Sequence, residues 1–82
     1  MVEIEVKLPR LSEGEDAPQE ATVSFFYVEE GQTVRKGDDF VEMITDKATF
    51  NVPAPESGRV SKILVRENQK VKVGQTLAIL ET

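Results

Sequence analysis

Apolar and charged residues alternate strictly along Val2-Glu3-Ile4-Glu5-Val6-Lys7-Leu8. A period of two sends successive side chains to opposite faces, so this stretch reads as a half-buried β-strand. Residues 22–28, 40–45, 48–52, 59–65 and 76–81 are also short and rich in β-branched, aromatic or aliphatic side chains. Turn signals separate them, at Glu30-Gly31-Gln32, Lys36-Gly37-Asp38, Ser57-Gly58, Glu67-Asn68-Gln69 and Val73-Gly74-Gln75. No window holds a helical apolar stripe for three turns. The pattern predicts an all-β chain.

The same pattern occurs twice. A displacement of 37 positions lays Val23-Ser24 on Val60-Ser61, Val28 on Val65, Glu30 on Glu67, Gln32 on Gln69, Val34 on Val71, Gly37 on Gly74 and Thr45 on Thr82. Gly31 falls on Asn68, and these residue types most readily take positive φ in a tight turn. A weaker match at 44 positions sets Val6-Lys7-Leu8-Pro9 on Phe50-Asn51-Val52-Pro53, which implies seven extra residues in the first copy's early loop. Two four-strand halves, about residues 2–45 and 48–82, therefore pack on each other, since neither alone can bury its apolar face. The expected architecture is a flattened eight-stranded barrel or sandwich with pseudo-twofold symmetry.

That symmetry singles out one place. The chain ends, Met1 and Thr82, should meet at one end of the domain, and the operator maps them onto the junction Thr45-Asp46-Lys47-Ala48 at the other. The junction reads as a two-residue hairpin, Asp46-Lys47, between strands ending at Thr45 and beginning at Ala48. Such turns favour Asn-Gly or Asp-Gly, so Asp46 suits its position and Lys47 does not obviously. An exposed lysine is ordinarily a solubilising group. At a hairpin tip beside a small Ala48, its amine is also open to an acylating enzyme.

Composition narrows the chemistry. The chain has 82 residues, which fits one domain, and neither Cys nor His. That excludes disulfides, thiol nucleophiles, Cys/His zinc sites and histidine-based catalytic arrangements. Ten Lys and Arg stand against fifteen Asp and Glu, a net charge of -5, which argues against nucleic acid. No apolar run is long enough to span a bilayer, and the amino-terminal residues do not read as a signal peptide. A chain this short has little room for an enclosed catalytic pocket. If the protein takes part in chemistry, the reactive group is expected to be borrowed.

In this frame the chain resembles the lipoyl domains of the biotinyl/lipoyl attachment family. Thr45-Asp46-Lys47-Ala48, after Val41-Glu42-Met43-Ile44, is similar to the family's lipoylation hairpin. Residues 51–58 resemble the segment that follows it, residues 71–80 the closing strands, and Leu8-Pro9-Arg10-Leu11-Ser12-Glu13-Gly14 the stretch after the first strand. The resemblance implies that a lipoate ligase or lipoyl transferase joins lipoic acid to Lys47 through an amide, with Thr45, Asp46 and Ala48 forming the recognised hairpin. It implies a swinging arm that takes an acyl group from a thiamine-diphosphate-dependent 2-oxo-acid decarboxylase and gives it to coenzyme A at an acyltransferase core. Dihydrolipoyl dehydrogenase then reoxidises the arm. The domain itself would be a monomeric, non-catalytic carrier, cytoplasmic or in the mitochondrial matrix, without nucleic-acid or membrane partners. It looks like the amino-terminal domain of a longer acyltransferase component or a free-standing carrier.

The chain departs from the family pattern at Ser12, where a Gly is common, and in the longer acidic stretch Glu15-Asp16-Ala17-Pro18-Gln19-Glu20. In related domains this loop lies beside the hairpin and helps the decarboxylase recognise its carrier. Glu13, Glu15 and Asp16 are thus candidates for partner recognition, with a solvated loop as the other reading. Thr45 is also preceded by Ile44 where the family often has Glu. Phe25, Phe26, Tyr27, Phe40 and Phe50 read as core and rim packing, Gly37, Gly58 and Gly74 as turn formers, and Glu29, Glu30 and Glu42 as solvated strand faces. A biotin carrier would flank the lysine with Met on both sides, which this chain lacks. A glycine-cleavage carrier is longer, and an unmodified lipoyl-like adaptor module would carry a helical insertion between the halves.

Overall fold

The computed structural model describes residues 2–10 and 19–82. They form eight strands: β1 (Glu3–Lys7), β2 (Glu20–Phe26), β3 (Thr33–Val34), β4 (Asp39–Ile44), β5 (Thr49–Pro53), β6 (Gly58–Ile63), β7 (Lys70–Lys72) and β8 (Thr76–Glu81). Two four-stranded sheets result, with strand orders β1-β8-β6-β3 and β5-β4-β2-β7. The sandwich is not a closed barrel. β3 and β7 are the two strands to which the sequence pattern assigns no range, because each contributes one buried valine, Val34 or Val71, and little else.

Each sheet takes two strands from each half of the sequence. The exchange β1↔β5, β2↔β6, β3↔β7, β4↔β8 turns one strand order into the other, so the pseudo-twofold relates the two sheets. The tight turns enforce this interleaving. The Gly31 N–H donates to the Val60 carbonyl and the Asn68 N–H to the Val23 carbonyl, each at 2.7 Å. In return the N–H groups of Val60 and Val23 donate to the carbonyls of Gln32 and Gln69, each at 2.8 Å. Each half therefore stitches its turn onto the other half's strand. Gly31 and Asn68 both have positive φ, 91° and 69°, as their shared position requires. The repeated glutamines close the same turns, Gln32 Oε1 accepting from the Glu29 N–H and Gln69 Oε1 from the Arg66 N–H.

The hydrogen bonds correct the match of the first strand to its mate. Leu8 N–H donates to the Gln75 carbonyl and Gly74 N–H to the Leu8 carbonyl, while Ala54 N–H donates to Asp38 and Gly37 N–H to Ala54. Leu8 thus corresponds to Ala54, and Val6, opposite Ala78, to Val52, opposite Val41. The displacement is 46 positions (6 to 52), not 44, and the first copy's loop is longer by nine residues rather than seven. A slip of two keeps every side chain on its face, so alternation alone cannot detect it.

The core lies between the sheets and is paired by the same operator. Val23 and Val60, Val34 and Val71, Phe40 and Leu77, Val41 and Ala78, and Met43 and Leu80 are all buried. Phe26 and Phe50 pack on its edge. Phe25 and Tyr27 do not belong to it: they are 36% and 41% exposed, so the expectation that all five aromatic residues pack in the core or rim fails for these two. Glu30 also does more than solvate a face, since its carboxylate accepts the Ile63 N–H at 2.9 Å.

Gly58 opens β6 rather than forming a turn. A Cβ there would stand 2.5 Å from the Glu81 carbonyl oxygen and 3.2 Å from the Thr82 side chain. The edge of the sheet closes at this point only because the side chain is missing. Gly58→Ala is expected to cost about 1–3 kcal/mol through forced displacement of the β8 backbone, read as a lower urea midpoint at unchanged slope.

Candidate functional site

The sequence places its candidate residue, Lys47, at the turn between β4 and β5, and the sheets put that turn far from the chain ends. At the opposite end of this strand pair, the Lys36 N–H donates to Ser57 Oγ, and Gly58 next to it packs on Glu81 and Thr82. The six residues of β4 separate the two ends by roughly 20 Å. The operator's image of the turn is the meeting of the termini. Thr45 N–H donates to the Ala48 carbonyl at 2.8 Å, and Thr82 N–H to the Val2 carbonyl at 2.9 Å.

The turn is held by Thr45. Its hydroxyl donates to the Ala48 carbonyl (3.1 Å) and accepts from the N–H groups of Lys47 (3.3 Å) and Ala48 (3.1 Å). Regular pairing stops at Ile44 and Thr49, one residue earlier on each strand than the sequence pattern suggests. Among the described residues the only non-glycine with positive φ is Asn68, so Asp46 and Lys47 both keep negative φ. The primed turns that favour glycine are therefore not used, and a lysine sits here without backbone strain. A hydroxyl-closed turn replaces them.

Asp46, Lys47 and Ala48 are exposed, and Thr45 is half-buried. Among the described residues no hydrogen bond or ion pair engages the Lys47 side chain; the ion-paired lysines are Lys7 and Lys70. The amine is therefore presented to solvent on a fixed turn, between exposed Asp46 and the small side chain of Ala48. Beside the turn lies an open groove of about 400 Å³, lined by Glu20, Ala21, Thr22, Ile44, Thr45, Asp46 and Lys70. Glu20, the last residue of the acidic stretch, opens β2 and lines this groove. Glu13, Glu15 and Asp16 themselves lie outside the described residues.

Sequence reasoning named Thr45 for its place in the motif and did not show its hydrogen bonds. A Ser or Thr immediately before a two-residue turn is the signal that pointed to them. It gave no role to Ile44, which is 41% exposed at the rim of the groove. Among the described residues no helix is long and apolar enough to cross a membrane, and no cluster of metal-ligating side chains occurs.

Comparison with known proteins finds acyltransferase components among the curated relatives, and both a lipoyl domain and carboxylases among the solved structures. The family model described as biotin-requiring enzyme, which covers biotinyl and lipoyl attachment, matches residues 4–80. The chain is 38% identical over 78 residues to the dihydrolipoyllysine-residue acetyltransferase component of pyruvate dehydrogenase complex of Zymomonas mobilis, covering 94% of this chain and 17% of that protein. It is 36% identical over 76 residues to the dihydrolipoyllysine-residue succinyltransferase component of 2-oxoglutarate dehydrogenase complex of Staphylococcus saprophyticus, covering 93% and 17%. The solution structure of the lipoyl domain of the 2-oxoglutarate dehydrogenase complex from Azotobacter vinelandii superposes with a TM-score of 0.74 at 26% identity, covering 96% of both chains. The chain spans about one-sixth of the length of these two curated relatives.

Proposed function

Because the chain belongs to the biotinyl/lipoyl attachment family, we propose that it is a lipoyl carrier domain of a 2-oxo-acid dehydrogenase complex, with lipoate joined by an amide to the side-chain amine of Lys47. The observation that carries this reading is the exposed Lys47 amine, unpaired among the described residues, on a turn closed by Thr45 at the end of the sandwich remote from the chain ends. The group supplies, when bound, a dithiolane that accepts an acyl group and releases it to coenzyme A. The chain's own residues do the rest. Thr45 fixes the turn, Asp46 and Ala48 flank the amine without enclosing it, and the rigid sandwich holds the attachment point away from any tether at the termini. Tethering in turn raises the effective concentration of the arm at each active site it reaches.

On this reading the domain is non-catalytic and belongs to a longer acyltransferase component. Its partners are a lipoate ligase or lipoyl transferase, a thiamine-diphosphate-dependent decarboxylase, the acyltransferase core and dihydrolipoyl dehydrogenase, in the cytoplasm or the mitochondrial matrix. Glu13, Glu15 and Asp16 contribute to the choice of decarboxylase. Relatives serve both pyruvate and 2-oxoglutarate complexes, so the substrate is assigned only as a 2-oxo acid.

Parallel incubations test the choice of cofactor. With lipoate, ATP and a lipoate ligase, intact mass is expected to rise by one lipoyl group; with biotin, ATP and a biotin ligase it should stay constant. A biotin-sized gain alone would move the assignment to a carboxylase carrier. Thr45→Val keeps the β-branched shape and loses the three side-chain bonds. Because the freed N–H groups reach water, it is expected to cost only about 1 kcal/mol. Its initial rate of lipoylation should nonetheless fall severalfold, since the ligase then meets a turn that is no longer fixed.

A further inference from the structure

The pseudo-twofold provides an internal comparison between the outer faces of the two sheets, and they differ in chemistry. Across the first sheet, Arg59, Glu81 and Glu3 stand side by side, followed by Lys62, Ile79 and Glu5. Arg59 pairs with Glu81 at 3.3 Å, and exposed Leu64 stands just beyond β6. The corresponding rows of the second sheet are Thr22, Ile44 and Thr49, then Phe25, Glu42 and Asn51, with Tyr27 at the place of Leu64. Charged positions on one face are thus replaced by Ile44 and Phe25 on the other. The Phe25 and Tyr27 rings meet edge to face at 4.7 Å, and Tyr27 reaches across β4 to bond Asn51 on β5 at 3.0 Å. Nothing about the fold requires Ile44 and Phe25 to be apolar, because their symmetry mates, Glu81 and Lys62, build the same sheet with charged side chains.

The strip is continuous with the site. Ile44 is the last residue of β4 before the turn and lines the groove beside it. Phe25 lies opposite Glu42, two residues or roughly 7 Å further along the strand. An enzyme that admits the Lys47 arm comes within reach of this surface, because Ile44 adjoins the turn. The rim carries Glu20, Glu42 and Asp46 against Lys70, which pairs with Glu20 at 3.9 Å, so carboxylates predominate there, and the chain carries a net charge of -5. That charge disfavours a second copy of this chain as the occupant and favours a basic protein surface. The strip is small, as suits a contact that must form and release in every cycle.

We propose that the outer face of the β5-β4-β2-β7 sheet, centred on Ile44, Phe25 and Tyr27, docks the decarboxylase that loads the Lys47 arm, against an apolar patch flanked by basic side chains at the mouth of that enzyme's active site. The inference rests on the lipoyl-carrier reading. Loading decides which acyl group enters the cycle, so a recognition surface beyond the turn has its use at that step.

The symmetry supplies the test variants. Phe25→Lys and Ile44→Glu write the other sheet's residues, Lys62 and Glu81, onto this face, and Tyr27→Ser removes the second ring. Lys62→Ser, on the opposite face, is the control. Each variant is lipoylated by the ligase and followed by intact mass. It is then offered as substrate to purified decarboxylases specific for pyruvate, 2-oxoglutarate and branched-chain 2-oxo acids. The three face variants are expected to be lipoylated at the wild-type rate but acylated with a kcat/KM lower by about five- to tenfold, mostly through KM. Lys62→Ser should match wild type in both. Unchanged acylation in all three would overturn the proposal, and so would a fall in lipoylation parallel to that in acylation, which would assign the face to the ligase. A wild-type domain that takes no lipoate, or that no decarboxylase acylates once lipoylated, would remove the carrier reading itself.

Discussion

Lys47→Arg is expected to accept no lipoate at all while unfolding at the wild-type temperature. Amide formation needs the lone pair of a primary amine. A guanidinium holds its charge and delocalises its electrons, so it cannot replace the amine as a nucleophile. The fold loses nothing, because the Lys47 side chain is exposed and makes no hydrogen bond or ion pair among the described residues. Surface changes of this kind stay within about 0.5 kcal/mol. Intact mass after ligase treatment and thermal melting by circular dichroism check the two halves of the expectation. In a complex whose every carrier domain bears the substitution, acyl transfer to coenzyme A is expected to fall to background. A loss of lipoylation accompanied by a large loss of stability would instead mark Lys47 as structural.

Phe40→Ala has the largest expected effect on folding. Phe40 is fully buried on the inner face of β4 and meets the Phe26 ring edge to face, at 6.1 Å between centroids. Truncating such a residue costs about 3–5 kcal/mol in lost transfer energy and residual cavity. A domain of this length has about 4–12 kcal/mol in total, so the variant should lie near or beyond the edge of stability in urea titration. Its symmetry mate offers a calibrated comparison. Phe40→Leu places the residue found at Leu77 into the first half and should cost about 1.5 kcal/mol or less. Because β4 also carries the turn, Phe40→Ala should lose modification in proportion to its unfolded fraction, whereas Phe40→Leu should be lipoylated normally.

The fold was legible because the sequence states it twice. Val34 and Val71, or Gln32 and Gln69, repeat because each pair fills the same place in two sheets. What the repeat could not convey was how the halves share strands. That depends on the N–H groups of Gly31 and Asn68, which donate to the opposite half, and backbone bonds leave no trace in side-chain pattern. The displacement of the first strand was misread by two for the same reason, since Val6 faces the core whether it is laid on Phe50 or on Val52. Gly58 read as a turn former because a glycine after serine looks like one; the close approach of Glu81 comes from a strand more than twenty positions away.

The turn shows a different limit. Lys47 was out of place only if the hairpin were of the glycine-requiring kind, and the Thr45 hydroxyl makes it another kind. Local propensity alone does not distinguish the two. Phe25 and Tyr27 were assigned to core and rim packing because composition counts aromatic residues without knowing their face. The irregularity in β2 between Val23 and Phe25 shifts the register against β4 and turns Phe25 outward opposite Glu42. A strict period of two from buried Val23 would have turned it inward.

The most direct test of the central claim is the position of the lipoyl group. Domain treated with lipoate, ATP and a lipoate ligase is digested with an endoproteinase and sequenced by tandem mass spectrometry, so that all six lysines, Lys7, Lys36, Lys47, Lys62, Lys70 and Lys72, are scored together. One lipoyl group is expected, on Lys47 alone, with the other five lysines unmodified. A lipoyl group on any other lysine, or spread among several, would contradict the claim.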